Sequence, residues 1–299
     1  MRVFVTGATG WVGSAVVKDL LAQGHQVLGL ARSDKGAQNL AATGAQVLRG
    51  SLEDLASLRQ GAAQADGVIH TAFNHDFSKF AENCEQERLA IEAIGAELEG
   101  SGRPFIVSSG VALLTPGRVS TEDEQPHAPI AAFPRAPETT AATFAARGVR
   151  VTAIRLAPTV HGLGDHGFVP RLIGIAREKG VSAYVGAGSN RWPAVHRLDA
   201  ARVYRLAFEH GAEGGPFHAV AEEGVPFRQI AEVIGRRLNL PVVALAPEDA
   251  AGHFGWFARF AEIDCPSSSA RTRSSLGWQP QQPTLLADLD QPGYFAPAP

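Results

Sequence analysis

The chain has little with which to build a cross-linked, membrane-bound or nucleic-acid-binding protein. Its 299 residues include two cysteines, Cys84 and Cys265. Two thiols form at most one bridge, so no disulfide framework is expected and both are read as reduced. No apolar run approaches the roughly 18 residues of a membrane span. The first strand is expected from Val3, which leaves no room for a signal peptide. The net charge is −3, without a basic stripe, which disfavours nucleic acid and anionic membrane as partners. No metal site is read from the sequence. Tyrosine and lysine are scarce: Tyr184, Tyr204 and Tyr294 stand against Lys18, Lys35, Lys79 and Lys179. The expectation is a soluble, cytoplasmic protein acting on a small molecule. With 45% hydrophobic residues, the chain can bury a large core.

What is present begins at once. Val3–Thr6 is a continuous apolar strand that breaks into Gly7, Gly10 and Gly13. The first glycine permits a sharp turn, the second a close approach of backbone to phosphate, and the third tight helix–strand packing. The helix that follows offers unsatisfied N–H groups and a positive dipole end. This is the layout of a dinucleotide pyrophosphate site.

Strand and helix patterns then alternate. Helices are expected over Val12–Gln23, Lys35–Thr43, Leu52–Ala63, Phe77–Gly100 and Glu138–Arg147. Strands are expected at Gln26–Ala31, Gln46–Leu48, Gly67–Ala72, Pro104–Ser108 and Arg150–Leu156. Such alternation, with strands apolar on both faces, implies an α/β fold, a Rossmann-type doubly wound parallel sheet. Beyond Leu156 the texture changes, with helices expected at Phe168–Lys179, Asp199–His210 and Phe227–Leu238, and a Gly-rich turn over Gly186–Pro193. Residues 1–157 are read as the cofactor domain, with 195–220 returning to it. Residues 158–194 and 221–299 are read as a smaller C-terminal substrate lobe.

Seven segments, in order, resemble the extended and atypical short-chain dehydrogenase/reductases, the class that includes nucleotide-sugar epimerases. They are Thr6–Gly13 (TGATGWVG), Gly50–Asp54, Val68–Ala72 (VIHTA), Phe105–Ser109, Arg155–Gly162, Trp192–His196 followed by Asp199, and Leu276–Pro280 (LGWQP). The resemblance implies cofactor contacts at Gly7, Thr9, Gly10, Trp11, Val12, Gly13, Ser51, Leu52, Thr71, Ala72, Phe73, Pro158 and Val160. The second strand ends in Arg32-Ser33, where an acidic residue would select NAD. A guanidinium there can fork onto a 2′-phosphate, so NADP is expected, with NAD left open by Asp34.

The class carries out its chemistry with a tyrosine, a lysine four residues later and a serine or threonine. None of the three tyrosines has a lysine four residues on. The tyrosine's place falls near Phe133–Ala136, where Arg135 is the nearest polar side chain. The resemblance carries over only Ser109 and Ser108, as substrate-orienting hydroxyls. Arg135 could stabilise an oxyanion, and His161, His75 or His127 could titrate in a useful range. His75, Phe168 and Trp192 are candidate substrate contacts, with Trp11, Phe73, Phe77 and Trp256 as further aromatic walls. Three functions stay open: an NADP(H)-dependent reductase of a small or medium carbonyl compound with a non-standard proton donor, a non-catalytic NADP-binding sensor, and a nucleotide-sugar epimerase or dehydratase. The helices at 77–100 and 138–147 are candidate homodimer surfaces.

Overall fold

The computed structural model describes residues 1–129 and 134–296; Phe133 lies outside the described residues. The first half runs β1 (Arg2–Thr6), α1 (Trp11–Ala22), β2 (Gln26–Ala31), α2 (Asp34–Ala41), β3 (Gln46–Arg49), α3 (Leu55–Ala63), β4 (Gly67–His70), α4 (Phe80–Leu98), β5 (Pro104–Gly110), α5 (Pro137–Ala142) and β6 (Arg150–Leu156). The second half runs β7 (Thr159–His161), α6 (Phe168–Lys179), β8 (Ser182–Val185), β9 (Arg191–His196), α7 (Arg197–Glu209), β10 (Phe217–Ala219), β11 (Glu222–Pro226), α8 (Phe227–Leu238), β12 (Val242–Leu245), α9 (Ala250–Phe254), α10 (Ala258–Ala261), α11 (Ala270–Leu276) and α12 (Leu285–Leu289).

The main sheet has the order β10-β6-β5-β4-β1-β2-β3, and every pairing in it is parallel. The fold is therefore the Rossmann-type α/β class. The chain winds outward from β1 to β3, then crosses back to β4 on the other side of β1. Between β1 and β4 lies the switch point of the order, where the loops leaving the two strands diverge and open a crevice. Both loops carry the segments singled out above, Thr6–Gly13 and Thr71–Phe73.

Two apolar layers hold the sheet. On one face Val3, Val5, Ile69, Ile106 and Ile154 pack with Val16 and Leu20 of α1 and with Val203, Ala207 and Phe208 of α7. On the other, Phe4, Val68, Phe105 and Val107 pack with Leu58, Ile91, Ile94 and Phe144. Each fully buried large side chain contributes about 1.5–3 kcal/mol of transfer free energy. Thus α7 and β10, which come late in the chain, complete the core and edge of this sheet.

The lobe contains a three-stranded sheet, β11-β9-β7, and a parallel pair, β12-β8, around Trp192, Phe227, Ile230, Phe254 and Phe257. Three expectations are corrected here. The Gly-rich turn over 186–193 ends early, and Arg191–His196 is the central lobe strand. The long helix begins at Phe80, after a separate 3₁₀ turn over Phe77–Lys79. The helix after the serine strand stops at Ala142, with a second 3₁₀ turn over Ala145–Arg147.

Candidate active site

The glycine turn is built as its residues demand. Gly7 has φ +65, the left-handed region, and its carbonyl accepts from Gly10 N at 2.8 Å. A Cβ on Gly13 would lie 2.1 Å from that carbonyl oxygen, and one on Gly7 would lie 2.8 Å from Ala72 N. Neither position admits a side chain, so the backbone of the turn lies bare beside the β4 loop. Gly10 caps α1 without a side-chain bond, leaving the first N–H groups of the helix open to an anion. The turn therefore fits the pyrophosphate of a dinucleotide. Thr9 and Gly10 are exposed, and Trp11 and Val12 half-buried. The Trp11 indole donates to Val160 O at 2.7 Å, tying the turn to the loop that contains Pro158. Thr71 Oγ1 donates to Thr6 O at 2.8 Å, and Ala72 and Phe73 follow it into the crevice.

Arg32 and Ser33 are exposed beyond β2. Ser33 Oγ accepts from Gly36 N at 3.1 Å and caps α2. Asp34 is turned to Arg49, 2.9 Å away. Arg32 forms no ion pair among the described residues. Ser51 donates to Glu53 at 2.8 Å, with Leu52 half-buried beside it.

At the end of β5 the pleat sends the two serines to opposite faces. Ser108 is buried towards α7: its hydroxyl donates to His70 O at 2.9 Å and shares a 2.7 Å bond with Tyr204 OH. Both of these bonds lie within the core and Ser108 does not line the pocket that Ser109 lines, which corrects the expectation that Ser108 orients substrate. Ser109 faces the opposite way. It is 3% exposed, and its Oγ has no hydrogen-bond partner among the described residues. Together with His127, Arg135, Glu138 and Thr139 it lines an open pocket whose enclosed room is about 10 Å³, the space of one water. A buried hydroxyl without a partner costs on the order of 1–3 kcal/mol, so a bonding partner at Ser109 would relieve that cost.

Arg135 stands beside it. The guanidinium makes a fork onto Glu87 (Nε to Oε2 2.9 Å, Nη2 to Oε1 2.6 Å) and also donates to Ser108 O at 3.2 Å. Its plane lies 4.5 Å over the Phe73 ring. Nη1 has no partner among the described residues. Glu87 is 2% exposed, and burial raises its carboxyl above the ordinary range while Arg135 opposes that rise. Sequence reasoning missed Glu87, yet a signal was present. It falls in the buried register of α4 with Cys84, Ile91, Ile94 and Leu98, where a carboxylate requires a cation. Glu138, expected only as the start of a helix, receives Arg155 at 2.8–3.1 Å, so the acid that lines the pocket is neutralised too.

The histidines separate. His161, expected as a proton donor, is fully buried, and its Nδ1 lies 2.8 Å from Asp288 Oδ2. Tyr294 OH donates to the same carboxylate at 3.2 Å and accepts from Gly162 N at 2.8 Å. Through Nδ1 this network pins the C-terminal segment under β7, while the buried Nε2 has no partner among the described residues. His161 does not line the Ser109 pocket, so the structure does not bring it to Ser109 and Arg135. Trp192, expected to touch substrate, is fully buried in the lobe core against Phe227, 4.9 Å between centroids, which corrects that expectation. Phe168 packs with it and with Phe260. His75 is exposed next to Phe73 and Phe77. His127 is exposed at the rim of the cavity.

Comparison with known proteins gives this geometry its setting. The model of the NAD dependent epimerase/dehydratase family matches residues 3–221. An uncharacterized protein of Schizosaccharomyces pombe is 51% identical over 99% of this chain and 100% of its own. A 4-hydroxy-2-methyl-3-oxo-4-farnesyl-3,4-dihydroquinoline-1-oxide ketoreductase of Stigmatella aurantiaca is 27% identical over 89% of this chain and 84% of its own. Among solved structures, MoeE5 in complex with UDP-glucose and NAD superposes with a TM-score of 0.75 at 22% identity, covering 97% of this chain and 96% of that one. The bare glycine turn at the switch point and the match over most of the chain agree: the protein belongs to the NAD dependent epimerase/dehydratase family, within the extended short-chain dehydrogenase/reductases.

Proposed function

We propose that the protein is an NADP(H)-dependent reductase of a small or medium carbonyl compound, working without a tyrosine–lysine pair. The observation that carries this reading is the unpartnered Ser109 hydroxyl, buried beside the open Nη1 edge of Arg135 in one cavity. When bound, the nicotinamide supplies hydride to the carbonyl carbon. Ser109 and Arg135 hold the carbonyl oxygen and stabilise the charge that develops on it. Glu87 fixes the guanidinium plane, and water entering past His127 supplies the proton. Arg135 stays protonated throughout, because a guanidinium keeps its charge at neutral pH. Gly7, Gly10 and Gly13 receive the pyrophosphate, and Arg32 receives a 2′-phosphate. The name of the Stigmatella aurantiaca ketoreductase supports carbonyl reduction over epimerisation.

The test is consumption of NADPH and NADH against a carbonyl panel, alongside direct cofactor titration. Tighter NADPH binding, abolished as a preference by Arg32→Ala, and turnover that falls about 100-fold in Ser109→Ala are expected. Tight NADPH binding with silence across the panel would establish a non-catalytic NADP-binding protein instead.

A further inference from the structure

At the mouth of the cleft, the segment after β4 meets the short helices of the lobe ring against ring. Phe73, under Arg135, meets His75 edge-on at 5.2 Å, and Phe77 follows 6.2 Å from His75. Phe77 stacks on Trp256 at 5.2 Å with 28° between planes. Phe260 closes edge-on to both, 5.9 Å from each. Trp256 is 49% exposed, and neither it nor Phe73 nor Phe77 belongs to the packed core of sheet or lobe. Trp256 also meets the buried Phe257 edge-on at 5.5 Å, so its inner edge is anchored while its outer face is an exposed indole on a cleft rim, a surface awaiting cover.

The charges along this path cancel. Arg135 is neutralised by Glu87, and Glu138 by Arg155. A substrate body extending outward from Ser109 therefore meets ring faces before any unneutralised charge. Beyond them, Arg171 lies over the Trp256 ring at 5.7 Å and Arg259 over the Phe260 ring at 4.8 Å, neither with an ion pair among the described residues.

From this ladder of rings we infer that the substrate is a flat aryl carbonyl compound whose ring inserts between Phe77 and Trp256. The inference rests on the reductase reading of the same site. Stacked rings gain from offset contact at centroid spacings of roughly 4.5–7 Å. To admit a ring, Phe77 and Trp256 must part to roughly 7 Å, two van der Waals spacings. Phe77 sits on a 3₁₀ turn that precedes α4, and movement of that short segment leaves the sheet untouched. In the reaction, the nicotinamide donates hydride to the carbonyl carbon, and the oxygen takes one proton from water to give the alcohol.

The experiment compares 2-naphthaldehyde with cyclohexanecarbaldehyde. In Trp256→Ala and Phe77→Ala, kcat/KM with NADPH is expected to fall about tenfold more on 2-naphthaldehyde than on the puckered aldehyde, through KM. In NADP-loaded protein, 2-naphthaldehyde is expected to quench tryptophan fluorescence, and Trp256→Phe to abolish that quench. Equal losses on the two aldehydes, or competition of UDP-glucose with 2-naphthaldehyde, would overturn the inference while leaving the reductase reading in place. If neither aldehyde is turned over, the reductase reading fails for this class. The Trp256 quench then still decides whether the clamp binds a flat ring, its presence supporting the clamp and its absence overturning it.

Discussion

Single atoms decide the site. A Cβ on Gly13 would meet the Gly7 carbonyl oxygen at 2.1 Å, and β1 and α1 leave that carbonyl nowhere to go. Gly13→Ala should therefore cost about 1–3 kcal/mol and remove the upward shift in melting temperature that saturating NADPH gives the wild type. Glu87→Ala leaves the Arg135 charge buried without its partner and should destabilise the protein by about 3–5 kcal/mol. Replacing the pair together, Glu87→Leu with Arg135→Met, should restore most of that stability in a urea titration and leave the enzyme inactive. Asp165 offers a pH test. Burial raises its carboxyl from 3.8 to about 6, so the folded state holds a proton there that the unfolded state has released. That contribution is complete below pH ~4 and is lost as pH rises through about 6. Asp165→Asn should thus be more stable than the wild type at neutral pH, by on the order of 1 kcal/mol, and lose this advantage on acidification. These residues differ in how legible they were. Gly13 was readable because its constraint is local. The facing of Ser108 and His161 was not, because a motif gives a position along a strand and leaves the partner waiting on each side unstated. Tyr204 lies 96 residues from Ser108 and Asp288 lies 127 from His161.

Elements succeed or fail as readings according to how far their reasons extend. The strands of the main sheet were plain because both faces are buried and their apolar runs are unbroken. The central lobe strand was hidden: Gly186 and Gly188 precede it and Pro193 interrupts it, yet Pro193 O is used, accepting from Thr159 Oγ1 at 2.7 Å. The C-terminal segment shows the same dependence on distant partners. Leu285 N donates to Glu222 at 2.6 Å, Arg236 holds Asp290 at 2.9 Å, and Tyr294 bridges Asp288 to Gly162. Tyr294→Phe removes the acceptor of the Gly162 N–H. Hydrogen exchange at Gly162 should accelerate about tenfold or more, while β6 keeps its protection. Unchanged exchange at Gly162 would mean that this segment does not brace the loop beside the cofactor turn.

The whole molecule is less divisible than its sequence texture suggests. A fragment ending at residue 157 lacks α7 and β10, and with them Val203, Tyr204, Phe208 and Phe217 of the larger core. Such a fragment should lack a cooperative unfolding transition and should bind a hydrophobic dye, whereas the full chain should unfold cooperatively and leave the dye unbound. The reason lies in the connections. Two residues join β6 to β7, β9 runs without a break into α7, and β11 follows β10 after Val220 and Ala221. All three strands of one lobe sheet are thus stitched directly to the cofactor domain. A lobe on a single tether can swing in any direction; this one is joined through three neighbouring strands whose attachments stand in a row across the sheet, Thr159 and Glu222 both opposite Ala194. Such a row permits rotation about one line and resists twisting about any other, as hinges hold a door. Opening for substrate is thereby limited to that one swing or to local movement of the turn that carries Phe77 and the helices that carry Trp256 and Phe260.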